Sequence, residues 1–378
     1  MKKLHLFSLI LLFAASCKKD NAPSIPDYTV PTTYNFSNFN DSNVLKLLAM
    51  ADQIAAKINT ASNANTIVSA QDLKDMFNNV GNKFADTALR LNSSGLKLSS
   101  YCAPGAVTDL NSYFDSVGLE SQSTSAAKNG ASGRATNLSG ARKYLLSANG
   151  VFYSQVVRKT FNGGLCAYII GRYVKDSVAN ANNTTALPGS GTAMEHYWDE
   201  AFGFFAVPID FPTNTAGLRY FGSYANQVNA GLGCNKSLMD AFLKGRAAIS
   251  AKDLKTRDAQ SDTLVTMFEK TTAASIVQEM KETETNIDAG DAVAAMGTMG
   301  EALGFARDLK YYTFSRKITD AQITQLFGYF DSTNPTNPNL YNFITPNSTP
   351  TQLKAKTDAI RQFIGQVYGF TPAQLAAQ

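Results

Sequence analysis

Residues 192–206 read Thr-Ala-Met-Glu-His-Tyr-Trp-Asp-Glu-Ala-Phe-Gly-Phe-Phe-Ala, and this stretch indicates most clearly how the chain folds. On a helix, where each residue turns by about 100°, its apolar side chains share one broad face. That face consists of Met194, Trp198, Ala201, Phe202 and Phe205. The opposite face consists of His196, Asp199, Glu200 and Gly203. The pattern predicts a helix with a core-facing side and a polar side, ended by Pro208.

Helical periodicity continues on both sides of this stretch, while the alternating pattern of strands is scarce. Apolar residues recur at helical spacing from Ser42 onward. They do so again over residues 138–160 and 164–177, and over a long polar-faced segment, residues 253–286. The sequence therefore predicts an all-α fold.

Two stretches rich in turn-forming residues divide the chain. Residues 120–137 are rich in Ser, Ala and Gly, which predicts a mobile surface loop. A later loop contains Pro212 and Gly217, which suggests a domain boundary. We therefore predict two helical bundles in tandem, over residues 42–215 and 216–378.

The first 16 residues predict a secretory leader. Lys2 and Lys3 precede an apolar run, residues 4–13, that is too short to span a bilayer. Small residues then lead directly to Cys17, which resembles a bacterial lipoprotein signal peptide. The resemblance implies cleavage before Cys17 and a lipid anchor on its side chain; the alternative is an ordinary signal peptide with a chance cysteine.

Residues 17–41 contain three prolines among Ser, Thr and Asn, which is typical of a tether between lipid and fold. Lys18 and Lys19 follow Cys17 where an aspartate would be a retention signal, which fits the outer membrane. We therefore expect an outer-membrane lipoprotein that is held to the membrane, its partner, by the lipid anchor. The folded part would be periplasmic or surface-exposed.

Composition excludes several classes of function. Hydrophobic residues make up 44% of the 378 residues, enough for a substantial core, and charged residues make up 17%. The net charge is +4, and loss of Lys2 and Lys3 with the leader would bring it to about +2. That balance gives no electrostatic footprint for nucleic acid.

The count of histidines limits the metal chemistry. Of His5 and His196, the first would be removed with the leader. One remaining imidazole rules out a zinc site with two or three histidines in a single chain. The sequence also has no P-loop, no nucleophile elbow and no paired-cysteine motif.

Three cysteines remain beyond Cys17, namely Cys102, Cys166 and Cys234. An oxidising compartment allows one disulfide with one thiol left over. Their apolar neighbours fit equally well with three buried free thiols that act as small hydrophobic residues. The pairing stays open at this stage.

A second stripe of small and acidic residues lies on the helix predicted from Asp291. Its members are Gly297, Gly300, Glu301, Gly304 and Asp308, with Arg307 and Tyr311 at the edge. Glycines at spacings of three and four produce a flat surface that another backbone or a ligand can approach closely.

We hypothesise that this stripe and the polar face of His196 meet in one cleft between the bundles. The metal ligands would then be His196, Asp199, Glu200 and Glu301. The other contacts to a ligand would come from Gly203, Gly300, Gly304, Arg307 and Asp308. The alternatives are a solvated pair of His196 and Glu200, four residues apart, and glycines that serve only tight helix packing.

The stretch from His196 to Glu200, followed by Phe-Gly-Phe-Phe-Ala-Val-Pro, resembles the signature of an uncharacterised family of Bacteroidetes lipoproteins in the imelysin-like superfamily. Residues 300–307, Gly-Glu-Ala-Leu-Gly-Phe-Ala-Arg, resemble a second block of that family. The resemblance implies two helical bundles, a location in the cell envelope and an association with iron or haem uptake. In the imelysin pattern glycine-x-histidine-x-x-glutamate, the histidine corresponds to His196, the glutamate to Asp199, and the glycine to Met194.

Three functions remain as hypotheses. The first is a lipoprotein that binds a metal ion, iron above all, or an iron-containing ligand such as haem, between the bundles, in iron acquisition. The second is a metallopeptidase that uses His196 and carboxylates. The third is a structural or partner-binding envelope protein without a small-molecule site.

Overall fold

Polar caps and apolar faces define the helices of this chain. A computed structural model describes residues 27–85, 88–314, 316–345 and 347–378. The predicted leader and Cys17 lie outside the described residues. The fold is predominantly helical, as predicted. The helices of the first half are α1 (Ser42–Thr60), α2 (Ala70–Phe77), α3 (Pro104–Glu120), α4 (Tyr153–Thr160), α5 (Tyr168–Arg172), α6 (Val178–Asn180) and α7 (Ala193–Phe205).

The helices of the second half are longer. They are α8 (Tyr220–Leu232), α9 (Cys234–Ser250), α10 (Leu254–Asp288), α11 (Ala292–Asp308), α12 (Asp320–Phe330), α13 (Pro350–Tyr368) and α14 (Pro372–Ala377). The side chains of Asp253 and Asp291 accept backbone N–H groups at the starts of α10 and α11, which satisfies donors that a helix leaves unpaired. The 35-residue α10 is the spine, packed against α8, α9, α11 and α13.

Two short hairpins interrupt the helices. Strand β1 (Gly133–Thr136) pairs antiparallel with β2 (Lys143–Leu146), and β3 (Ala186–Leu187) pairs with β4 (Gly191–Thr192). The prediction of a helix over residues 138–160 is therefore wrong before Tyr153, and the predicted loop 120–137 contains β1. The apolar run in β2 is buried at three consecutive positions, and such a short run does not distinguish strand from helix by its period.

The chain from α4 to α6 is one continuous helical run with two wider turns. Residues Phe161–Ala167 and Tyr173–Ser177 are π-helical. A Cβ at Gly163 would lie 2.5 Å from the Cβ of Asp308, and a Cβ at Gly164 would overlap Ala106. The glycines in the first π-turn therefore let α11 and α3 approach the backbone of this run closely.

A single contiguous hydrophobic core crosses the predicted domain boundary at residues 215–216. It includes buried side chains from Tyr34 to Leu375. The ring of Phe205 lies 5.6 Å from both Phe242 and Phe268, which come from the other predicted half. The two predicted halves, residues 42–215 and 216–378, therefore share this core, and their division into two domains stays a prediction.

The three described cysteines are free and buried. Burial raises the pKa of Cys234 to about 11 and raises those of Cys102 and Cys166 as well. This agrees with the interpretation of the cysteines as small core residues rather than a disulfide. Within the described part of the chain, no helix combines the length and apolarity needed to cross a bilayer.

Trp198 packs closely against the backbone of α9 at Gly245, where a Cβ would overlap its indole ring. The substitution Gly245→Ala is therefore expected to lower the free energy of unfolding by about 1–3 kcal/mol, measured by chemical denaturation. Gly328→Ala in α12 is the matched control, because a Cβ there meets no atom within 4 Å. That variant should be unchanged or gain up to about 1 kcal/mol, and equal losses in both variants would contradict the tight contact.

Candidate functional site

Helix α7 begins at a reciprocal cap and is buried on nearly every side. The Thr192 side chain accepts the N–H of Glu195, and the Glu195 carboxylate accepts the N–H of Thr192. Trp198 is fully buried and donates its indole N–H to the Phe242 carbonyl oxygen at 3.0 Å. His196 keeps 26% of its side chain exposed. The predicted apolar face is confirmed, but the opposite face is not one continuous polar surface.

Asp199 is directed into the protein and paired with a buried arginine. Arg246 Nε lies 2.8 Å from Asp199 Oδ1, and Arg246 Nη1 lies 2.8 Å from Glu195 Oε1. The Tyr34 hydroxyl donates to the same Asp199 oxygen at 2.8 Å, and the Ser250 hydroxyl donates to Glu195. Burial raises the pKa of Asp199 to about 6, although Arg246 and Tyr34 favour its charged form. The Asp199 carboxylate is thus paired with a cationic side chain of the protein itself. Asp199 does not lie beside His196 as a metal ligand.

Gly203 serves helix packing rather than a ligand. A Cβ at this position would lie 2.9 Å from the Cβ of Asp41 and 3.2 Å from that of Val44, at the start of α1. The alternative interpretation of this glycine, close contact between helices, therefore fits the structure.

His196 and Glu200 lie close together on α7, and two tyrosines lie near them. His196 Nε2 lies 3.6 Å from Glu200 Oε1, while His196 Nδ1 is buried without a hydrogen-bond partner. Tyr173 and Tyr101 both lie close enough to the Glu200 carboxylate for its negative charge to raise the pKa of each phenol. We call these four residues the His196 cluster.

Three separate elements build the His196 cluster. His196 and Glu200 stand one turn apart on α7. Tyr173 begins the second π-turn, and Tyr101 follows the short 3₁₀ helix Leu98–Ser100. The preceding residue, Arg172, is exposed and acts on both tyrosines as a nearby positive charge. The two tyrosines were missed from the sequence because nothing in their local pattern connects them to α7.

Burial sets the protonation of the His196 cluster. Glu200 is only 7% exposed, and this burial raises its pKa, while the neighbouring imidazole of His196 works in the opposite direction. Burial raises the pKa of Tyr173 further above the ordinary value, and the negative charge of Glu200 adds to that effect. The phenol is therefore neutral, and it becomes a phenolate only if a cation replaces its proton.

Glu301 does not join the His196 cluster. Its Oε2 lies 2.7 Å from the buried Lys159 Nζ, and its Oε1 lies 3.5 Å from Arg142 Nη2. The hypothesis of one cleft that joins both stripes is wrong, because α11 packs on α4 and β2 rather than on the exposed side of α7.

The glycine stripe of α11 is filled by neighbouring side chains. A Cβ at Gly297 would lie 2.6 Å from the Tyr144 ring, and one at Gly304 would lie 2.8 Å from the stem of Lys159. Gly300 is less crowded, with the nearest atoms of Phe152 at 3.5 Å. Because Gly304 has no side chain, Lys159 crosses α11 there and reaches Glu301. These glycines therefore make room for side chains of the protein itself.

Arg307 and Asp308 are buried at the other end of α11. Arg307 lies over the Tyr113 ring at 5.4 Å, and its Nη1 has no hydrogen-bond partner. Asp308 is fully buried against Gly163 and Asn162 in the first π-turn, and burial raises its pKa well above the ordinary value. Neither residue is in contact with the His196 cluster in the described structure.

The donor set of the His196 cluster decides which metal it could hold. Across the described ranges, no three His, Cys, Asp or Glu side chains lie close enough to bind a metal together. A metal at His196 and Glu200 therefore needs the phenol oxygens of Tyr173 and Tyr101. The resulting donors are one nitrogen and three hard oxygens, which fit a small, highly charged ion such as ferric iron. His196 Nδ1 has no hydrogen-bond partner, so no hydrogen bond fixes the orientation of the imidazole on that side.

Arg246 should contribute strongly to stability, because its removal leaves Glu195 and Asp199 buried without a counter-charge. Arg246→Ala is expected to lower the free energy of unfolding by about 3–5 kcal/mol in chemical denaturation at neutral pH. Lys244→Ala on the same helix is the control, since Lys244 is exposed and has no ion pair among the described residues. A loss in Arg246→Ala no larger than in the control would show that the network is not structural.

Comparison with known proteins gives a family. The family described as a domain of unknown function (DUF4856) matches residues 31–371, which include the whole His196 cluster. No curated protein and no solved structure matches the chain. Since the match extends over most of its length, the chain belongs to the DUF4856 family.

Proposed function

We propose that this protein is an envelope lipoprotein that binds ferric iron at the His196 cluster, as part of iron acquisition. The observation that carries the proposal is the meeting of the only imidazole of the predicted mature chain with a buried carboxylate and two tyrosines. Iron would be the cargo of the protein rather than a catalytic cofactor.

Charge neutrality supports this choice of ion. One carboxylate from Glu200 and two phenolates from Tyr173 and Tyr101 would carry three negative charges, which balance a ferric ion. A divalent ion at the same donors would leave a net negative charge in a largely buried position, which is costly. Phenolate oxygen is also a hard donor, which favours ferric iron over softer ions.

The anchoring part of the proposal comes from the sequence. The leader and Cys17 lie outside the described residues, so lipidation and the outer-membrane location remain predictions. The resemblance to imelysin-like lipoproteins supports iron as the cargo, because that superfamily is associated with iron or haem uptake. An aspartate at the position of the imelysin glutamate is consistent with the structure, in which Asp199 binds Arg246 and Glu200 faces His196.

The other two hypotheses gain less support. A metallopeptidase would need a third metal ligand and a general base beside His196 and Glu200, and no such group of carboxylates lies there among the described residues. Haem would need open space in front of an imidazole nitrogen, whereas His196 Nε2 lies 3.6 Å from Glu200 Oε1 and Nδ1 is buried. We therefore propose the ion itself rather than haem or a peptide substrate.

Titration of the detergent-solubilised full-length protein with a ferric salt held soluble by a weak chelator should show one bound ion per chain. Binding should produce a visible phenolate-to-iron charge-transfer band, because tyrosinate oxygen would coordinate the metal. Tyr173→Phe should clearly reduce this band, because only the Tyr101 phenolate would remain, and should weaken binding by about tenfold or more, since one ligand is lost.

Tyr329→Phe is the matched control, because Tyr329 packs against Phe363 and is not part of the His196 cluster. Its band and affinity should equal those of the unmodified protein. Absence of any band and of retained iron in the unmodified protein would refute the proposal, and so would an unchanged band in Tyr173→Phe.

Iron binding should weaken as the pH falls. Burial raises the pKa of both Glu200 and Tyr173, so the ion has to displace the Tyr173 proton, and Glu200 takes up a proton more readily than an exposed carboxylate as the pH falls. Each proton released on binding lowers the apparent affinity by about tenfold per unit of acidification. We expect iron release on acidification, measured by the visible band. A retained band at a pH where the protein stays folded by circular dichroism would contradict the assignment of protonated ligands.

A further inference from the structure

A second polar cleft, separate from the His196 cluster, lies between α1, β2, α4 and α8. It consists of two adjoining cavities with volumes of about 620 and 220 Å³, which share Asp52, Gln155 and Arg158 in their walls. A volume of this order is typical of pockets for small organic ligands. We call these joined cavities the basic cleft.

The walls of the basic cleft carry more positive than negative groups. The cationic side chains are Arg142, Lys143, Arg158, Lys159 and Arg219. The acidic side chains are Asp52 and Glu301. The cleft therefore has an excess of positive charge, although the net charge of the whole chain is only +4.

Both acids are already occupied. Asp52 pairs with Arg219, and Glu301 lies 2.7 Å from Lys159 Nζ. Behind the wall, burial and the neighbouring Glu301 raise the pKa of Glu279, which favours its uncharged form. The acids thus pair with Arg219, Lys159 and Arg142, and they leave Arg158 and Lys143 to act on a ligand.

Arg158 and Lys143 are the cations left without a counter-charge. Both are exposed, and neither has an ion pair with any described residue. Arg142 stands beside Lys143 and stacks over the Tyr144 ring at 5.1 Å, which limits its freedom. Guanidinium and ammonium groups arranged in this way are suited to phosphate or carboxylate oxygens.

Neutral polar groups line the rest of the larger cavity. They are Asn59, Ser62, Asn63, Ser154 and Gln155. Ser62 is only 5% exposed, yet its hydroxyl has no hydrogen-bond partner. A buried hydroxyl without a partner has lost its hydrogen bonds to water and has gained none from the protein. A ligand hydroxyl that reached Ser62 would therefore form a hydrogen bond without the further cost of removing water from Ser62.

We propose that the basic cleft binds a small anionic sugar, that is, a hydroxyl-rich molecule with a phosphate or carboxylate group. The anionic group would contact Arg158, Lys143 and Arg142, and the hydroxyls would meet the amides and hydroxyls that line the same cavity. The polar lining of the larger cavity supports this class over an aromatic anion.

Calorimetric titration of the full-length protein at low salt tests the proposal. Glucose 6-phosphate and glucuronate are the probes for the phosphate and carboxylate forms, and glucose is the uncharged reference. At least one of the two anions should bind saturably and about tenfold or more tightly than glucose, and added salt should weaken that binding. Binding of only one anion would identify which acidic group the cleft prefers.

Arg158→Glu should weaken anion binding by about tenfold or more, because it places a negative charge where the ligand's anionic group would lie. Lys244→Glu on α9, an exposed lysine outside the cleft, is the matched control and should bind as the unmodified protein does. Iron binding at the His196 cluster should be the same in both variants, which separates this inference from the proposed function. Failure of both anions to bind, equal binding of glucose, or unchanged binding in Arg158→Glu would each overturn the proposal.

Discussion

The buried guanidinium of Arg246 is the contact on which the arrangement of the first half depends. It joins α9 to two carboxylates one turn apart on α7, Glu195 and Asp199, and Asp199 also holds Tyr34 of the N-terminal segment. A charge at this depth is costly unless its donors find acceptors, so the network favours one register between the two helices. Because α7 is held this way, its remaining partly exposed polar group, His196, faces the other side.

The two wider turns between α4 and α6 bring this helical run close to α11 and to α7. The first π-turn brings glycine backbone against Asp308, and the second begins at Tyr173, which points to Glu200 on α7. A π-turn inserts one residue into a helical turn and so changes the direction of every side chain that follows. In this chain, that shift places a tyrosine beside the carboxylate of a different helix.

The His196 cluster and the basic cleft use opposite electrostatic designs. In the cluster, burial raises the pKa of Glu200 and of both tyrosines, so negative charge on these groups is costly unless a cation lies beside them. In the cleft, the acids are already neutralised by Arg219 and Lys159, and the remaining cations are permanent. One site is therefore suited to a cation and the other to an anion, and α4 with its continuation contributes to both.

The sequence by itself determined the helical class, the core side of α7 around Trp198, and the contact of His196 with Glu200, because these depend on spacing along one helix. It did not show that Asp199 binds Arg246, that Glu301 binds Lys159, or that the glycines of α11 accommodate Tyr144 and Lys159. An arginine among the buried positions of α9, next to Gly245, was the one local sign of a buried counter-charge. Tyr173 and Tyr101, the shared core of the two halves and the basic cleft were decided by tertiary structure alone, because they depend on which helices pack together, and the period of a single helix contains no information about its neighbours.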